Sequence, residues 1–253
     1  MLIDTHAHFD KYTDEEIDLI VEAMKDSIII ASGCDRKTNE QVIKLIDKYH
    51  NIYGTIGMHP TEISNMQSDD FEYLIENINH PKIVGIGETG LDYYWDDSNK
   101  EIQKELFIKH IELAKKYNKV VVIHSRNAIE DVYDILNNNI GESKVILHCF
   151  NENLDWAKKF MKFNIKFGVG GILTFKNAYE LREVVSKIST EYFILETDSP
   201  YLTPSPYRGK KNSPEFVKFI AKKFAEIKNL DYENAVEKTG QNAIKQFDLN
   251  RDL

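Results

Sequence analysis

The sequence predicts an α/β fold in which strand–helix units alternate and close on themselves, and three observations predict it. Short apolar, β-rich runs recur along the chain, each followed by an amphipathic segment. The residues that close these runs are His8, Cys34, His59, Glu88, His124, His148, Gly171 and Asp198, and they recur at the step of one strand–helix unit: 26 residues from His8 to Cys34, 23 from His148 to Gly171 and, at the longest, 36 from Glu88 to His124. Eight such units fill 253 residues, and a (β/α)8, or TIM, barrel takes about 250. An open doubly wound sheet is the rival. It usually carries a Gly-rich turn after its first strand, and here no glycine follows His8 until Gly33.

The elements follow in order. LIDTHAHF reads as the first strand and DEEIDLIVEAMKD as its helix. SIIIASGC is nearly continuous in isoleucine, as a strand buried on both faces of a parallel sheet should be. KTNEQVIKLIDKYH returns the chain to IYGTIGMHP, and KIVGIGETG is the fourth strand. In NKEIQKELFIKHIELAKKYN, Ile102, Leu106, Ile111 and Leu113 fall near one stripe, with Glu and Lys over the rest. KVVVIHSR, KVILHCF, IKFGVGGIL and YFILETDSP supply the last four strands. The segment TPSPYRGKKNSP, residues 203–214, is Pro-rich and basic and reads as an ordered loop over the barrel mouth. Without a linker or low-complexity tract, residues 1–253 read as one domain.

Hydrophobic residues make up 42% of the chain and charged residues 29%, an ordinary globular balance. No apolar stretch approaches the ~18 residues that span a bilayer, and no signal-peptide pattern opens the chain. Two cysteines, Cys34 and Cys149, do not make a disulfide framework, so a reduced, cytoplasmic protein with no membrane partner is expected. The net charge of −9 argues against a broad nucleic-acid-binding surface. It leaves room for phosphate chemistry, because bound divalent cations reverse the local field in a carboxylate-lined site.

Barrel enzymes carry their reacting groups at the C-terminal ends of the strands. Here those ends hold His6, His8, His59, Glu88, His124, Arg126, His148 and Asp198, while His50, His80 and His110 fall in helices or loops. His6 and His8, two apart on a strand, point the same way. Each residue alone has a plain reading: a satisfied polar histidine, a helix-capping Glu88, a turn-forming Asp198, a small buried Cys149. Together, four histidines and two carboxylates converging on one mouth would carry a large desolvation cost. Divalent cations remove it, since imidazole and carboxylate are their ligands. Six ligands exceed the three that one catalytic ion takes and suit two ions with a bridging carboxylate.

The strings DTHAHFD, GMHPTE, GETGLDYY, VIHSR, LHCF and ETDSPYLTPSPYRGKKNSP, in this order, resemble the TatD family of metal-dependent deoxyribonucleases. The resemblance runs from residue 4 to about residue 214. It implies a (β/α)8 barrel, two divalent cations (Mg²⁺, Mn²⁺ or Zn²⁺), and hydrolysis of DNA phosphodiesters, often from 3′ ends or single strands. Carried over by position, His6, His8 and Asp198 would hold a first metal, His124 and His148 a second, and Glu88 would bridge them. Asp198 is then the expected general base. Arg126 and Arg208, with Lys210 and Lys211, are expected on phosphates, His59 on a phosphate oxygen or as proton donor to the leaving group, and Asp92 and Tyr93 beside the nucleotide. Asp4 and Asp10 read as structural.

Two other readings compete. Amidohydrolase-type barrels cleave C–N or ester bonds and also open with His-x-His, but many bridge their metals with a carbamylated lysine at the end of the fourth strand, where this chain has Glu88. A non-enzymatic barrel with structural metal would call for a closed, Cys-rich site, unlike this one.

Overall fold

The structure is a computed structural model that describes residues 1–95 and 97–249. The strands are Ile3–Ala7 (β1), Ile28–Ser32 (β2), Ile52–Ile56 (β3), Ile83–Asp92 (β4), Val120–Arg126 (β5), Val145–Leu147 (β6), Ile165–Val169 (β7) and Phe193–Leu195 (β8). They form one eight-stranded parallel sheet in chain order. The sheet closes where β8 runs on past Leu195: Ala7 bridges Ser199, the His8 amide donates to the Ser199 carbonyl (2.7 Å), and the Asp198 amide to the His6 carbonyl (3.0 Å). Asp4, fully buried, accepts from the Thr197 amide (2.8 Å) and hydroxyl (2.6 Å) and ties the first strand to the last. The expected barrel is therefore present.

Helices Asp14–Ala23 (α1), Arg36–Lys48 (α2), Asp70–Asn77 (α3), Lys100–Tyr117 (α4), Ile129–Asn139 (α5), Leu154–Phe160 (α6), Tyr179–Lys187 (α7), Val217–Lys228 (α8) and Tyr232–Phe247 (α9) surround it. Their ends follow local chemistry. Thr13 and Glu16 form a capping box at α1, and Asn118 and Asn229, both left-handed, close α4 and α8.

The isoleucine runs are explained by two cores. Ile28 and Ile30 pack in the barrel lumen with Ile3, Tyr53, Val84, Val122 and Ile194. Ile29 and Ala31, on the alternate face, pack under the helices. Phe247 and Leu249, at and just beyond the end of α9, belong to the lumen cluster and plug the N-terminal end. The opposite, C-terminal end stays polar and open. None of the described helices is long and apolar enough to cross a membrane.

The strands are shorter than the apolar runs suggested. His8 and His148 lie one residue beyond their strands and His59 and Asp198 three beyond, and Gly171 begins a short 3-10 turn. Beyond the regular ladders, single backbone hydrogen bonds still hold the mouth residues, as from the His59 amide to the Cys34 carbonyl (2.8 Å) and from the His148 amide to the Ile123 carbonyl (3.0 Å).

Candidate metal centre

Local backbone irregularities aim the side chains. Pairing of β4 with β5 slips between Ile86 and Thr89, and Gly87 sits there at φ 151°, a conformation that favours glycine. The slip breaks the in–out alternation and delivers Glu88 to the mouth. After β6, Cys149 turns the chain at φ 47°, immediately beyond His148. After β8, Asp198 itself is left-handed at φ 54°, a strained placement for a non-glycine residue that is typical of functional sites.

Glu88 stands at the centre, 3% exposed, and its two oxygens face different partners. Oε2 lies 3.2 Å from His6 Nε2 and 3.5 Å from His8 Nε2. Oε1 lies 3.0 Å from His124 Nδ1, 3.4 Å from His59 Nε2 and 3.7 Å from His148 Nε2. Asp198 Oδ1 closes the group at 3.4 Å from His8 Nε2 and 3.9 Å from His148 Nε2.

The outer nitrogens decide what the inner ones can do. His8 Nδ1 donates to the Ser32 carbonyl (3.0 Å), and His6 Nδ1 is 3.1 Å from the Ser32 hydroxyl. His124 Nε2 meets Asp92 Oδ2 at 2.9 Å, and His148 Nδ1 lies 3.0 Å from Glu196 Oε1, an ion-pair contact without hydrogen-bond alignment. A proton held outward by a carbonyl or carboxylate leaves the inner nitrogen of a neutral imidazole bare, the tautomer that binds metal. His59 is the opposite case. Its outer Nδ1 accepts from the Thr61 amide at 3.2 Å, so its inner Nε2 carries the proton and donates towards Glu88. His59 is thus set as a donor, and His8 and His124, whose outer nitrogens face a carbonyl and a carboxylate, as ligands.

Burial opposes charge throughout the cluster. It pushes Glu88 up, but the His148 and His59 charges, with hydrogen bonds from His124 and His59, hold that carboxyl well below the usual range. Burial pushes His148 down, yet Glu196, Glu88 and Asp198 lift it to about 9. At His6 and His59 burial wins and the imidazole is lowered. Protons on His148 and its neighbours offset the carboxylates here, and divalent cations compete for the same nitrogens.

The residues present fit divalent cations. His6 Nε2 and His8 Nε2 face each other at 3.1 Å, a contact only a shared proton or a cation relieves. Ligand atoms of His6, His8 and Glu88, and of His6, His148 and Asp198, lie within 4.8 Å of one another. The donor set, imidazole and carboxylate, suits transition metals and Mn²⁺. His6, His8, Glu88, His124, His148 and Asp198, the six positions the sequence singled out, are thus brought together.

The expected substrate contacts divide. Arg126 lines the cavity over this centre, its guanidinium 3.8 Å above the Tyr94 ring. Asp92 is 1% exposed, and its carboxylate is taken up by His124 and by the Tyr94 and Trp95 amides (2.9 and 3.1 Å). It backs a histidine rather than facing a nucleotide. Tyr93 donates to Asp131, away from the cluster. Arg208 lies over Phe175 (3.7 Å) and its guanidinium donates to the Thr203 carbonyl, while Lys211 pairs with Glu16 (2.9 Å). These contacts hold residues 203–214 against the segments that follow β1 and β7 at the mouth end, and neither basic side chain lines the cavity over the centre.

Sequence reasoning missed Glu196, fully buried, which accepts from the Cys149 amide (2.6 Å) and backs His148. The signal lay in ETDSP, where Glu196 precedes Asp198 by two. Gly168 on β7 leaves it room, since a Cβ there would run into Glu196 Oε2. Ser32, which anchors both early histidines, carried no such signal.

Comparison with known proteins gives the chain's family and matches its fold. The model of the family described as TatD related DNase matches residues 3–248. The uncharacterized metal-dependent hydrolase YabD of Bacillus subtilis (strain 168) is 41% identical over 255 residues, covering 99% of this chain and 100% of that protein. The uncharacterized metal-dependent hydrolase TatD of Mycobacterium tuberculosis is 30% identical, covering 98% of each. The crystal structure of YjjV, a TatD homologue from Escherichia coli K12, superposes with a TM-score of 0.92 at 26% identity, covering 98% of both chains.

Proposed function

Because this chain belongs to the TatD related DNase family of metal-dependent hydrolases, we propose that it hydrolyses phosphodiester bonds of DNA, removing nucleotides from 3′ ends with two divalent cations. One observation carries the reading: Glu88 divides its oxygens, one to His6 and His8, the other to His124 and His148, with the His59 N–H also directed at the second. That is the arrangement of a bridging carboxylate. His6, His8 and Asp198 would hold one cation and His124 and His148 the other. Cations held there supply charge neutralisation at phosphorus and a more acidic water.

The chain's own residues do the rest. A water oxygen attacks phosphorus in line with the 3′-oxygen of the preceding nucleotide. Asp198, at the edge of the group, takes the water's proton. The P–O3′ bond breaks, and His59 Nε2–H is placed to protonate the leaving oxygen. The products are a 5′-nucleotide and a strand shortened by one, ending in a 3′-hydroxyl. Arg126 grips a neighbouring phosphate with its planar fork. Asp92 and Glu196 keep His124 and His148 in register.

The test is a matrix of metals against substrates on protein stripped of metal. Mg²⁺, Mn²⁺ and Zn²⁺ are added back singly, against 3′-labelled single-stranded DNA, duplex DNA, RNA, and a panel of amides and lactones. Release of 5′-nucleotides from the 3′-labelled end, abolished by chelator and restored by metal, is expected. Turnover confined to C–N or carboxylic ester substrates would overturn the proposal.

A further inference from the structure

Eight large hydrophobic side chains are exposed among the described residues, and three of them, Tyr94 (54%), Trp95 (68%) and Tyr201 (49%), stand at the rim of the metal centre. Single exposed apolar side chains are ordinary, but three aromatics gathered at a catalytic mouth are not. Trp95 and Tyr201 both line the cavity of about 570 Å³ that contains Glu88 and Asp198. They come from opposite sides of the barrel, since Trp95 follows β4 and Tyr201 follows β8 in a sheet ordered β1 to β8.

Both rings are braced. The Tyr94 ring meets Trp95 edge-on at 5.0 Å and 86°, and the Arg126 guanidinium lies over both, 3.8 Å from Tyr94 and 5.5 Å from Trp95. Tyr201 leans on His8 with ring centroids 6.2 Å apart. The outer faces remain open to solvent. Cations in the wall of this cavity are few, Lys11 and Arg126, in a chain of net charge −9. Cations at the centre would attract the phosphate, and ring faces are what the rim offers to the bases.

We propose that Trp95 and Tyr201 form a two-sided stacking clamp for the unpaired bases on either side of the scissile phosphate, so that the centre takes single-stranded nucleic acid. This deepens the hydrolase reading and rests on it for the identity of the phosphate. Every base has a π face, so the clamp is indifferent to sequence. A base still paired in a duplex is stacked on its neighbours and cannot enter without fraying.

The experiment uses metal-loaded protein in a Trp156→Phe background, which leaves Trp95 as the only indole of the two in the chain. An oligothymidylate of about ten nucleotides with phosphorothioate linkages is the binding probe. Its addition should quench the Trp95 emission. Trp95→Ala and Tyr201→Ala should each raise KM for ordinary single-stranded DNA between about fivefold and about 150-fold, the effect of losing one stacked base, with kcat and metal content little changed. Trp95→Phe and Tyr201→Phe should recover most of the loss. Unchanged KM in both alanine variants of an enzyme that hydrolyses the strand would overturn the clamp, as would an equal loss on blunt duplex. Quenching and weakened binding without hydrolysis of any DNA would leave the clamp standing and overturn the hydrolase reading instead.

Discussion

Glu88 faces five imidazoles through two oxygens, so its removal should act on metal binding before it acts on chemistry. In Glu88→Ala, metal retained through gel filtration and counted by elemental analysis should fall by at least one ion per chain, with turnover lost. Full metal content with full activity would contradict the bridge. Glu196 works one step further out. Glu196→Gln keeps an acceptor for the Cys149 amide but loses the charge behind His148. Its metal affinity, measured by competition with a chromogenic chelator, should drop by about 10- to 100-fold. An unchanged affinity would reduce Glu196 to a filler of the space beside Gly168. At this scale the six candidate ligands were legible in the sequence, because each closes an apolar run. Their supporting partners were not. Asp92 and Glu196 differ from solvent-facing carboxylates only in what lies across the barrel, and that is a matter of tertiary packing.

The helices and strands sort the eight histidines into two populations. Five gather at the mouth, and His110 goes instead into the buried face of α4. There its Nε2 accepts from the Met58 amide (3.1 Å) and its Nδ1 donates to the Leu106 carbonyl (2.8 Å). Burial lowers its pKa to about 4. The unfolded chain therefore takes up this proton below about 6.5, whereas the folded chain does not until about 4. Stability present above pH 6.5 should be lost progressively as pH falls through that window, by about 3 kcal/mol in all. His110→Gln keeps an acceptor for Met58 without titrating, so its plot of stability against pH should be flatter there. Urea melts at intervals from pH 7 to pH 4 would show it, and parallel curves would refute it. Element order and type were readable from the alternation of apolar runs and amphipathic segments. Strand ends were not: past most of the regular ladders the chain goes on as irregular extended backbone held by single hydrogen bonds, such as His59 to Cys34, while β4 continues beyond its apolar run to Asp92.

Over the whole barrel, strands from both halves of the chain carry candidate ligands, so cations held at the mouth would tie β1, β4, β5, β6 and β8 together. Binding to the folded state alone should stabilise it by about 2.7 kcal/mol at a hundred times Kd. In a chain of this size that corresponds to roughly 5–10 °C in Tm. Scanning calorimetry of metal-stripped and metal-loaded protein would detect the shift, and identical Tm values would mean the centre does not hold its cations in the folded state. By itself the sequence determined the eightfold repeat, the barrel class and the polar residues at each strand end, because those are written in local periodicity, and periodicity survives in one dimension. Only the tertiary structure decided how Glu88 shares its oxygens, which nitrogens of His8 and His124 turn inward, that His59 is set to donate, and that the basic loop at 203–214 packs against the segments after β1 and β7. Most of these depend on contacts between residues tens to hundreds of positions apart, such as His8 with Asp198 and Asp4 with Thr197. Closing the barrel creates those distances, and no stretch of the chain contains them.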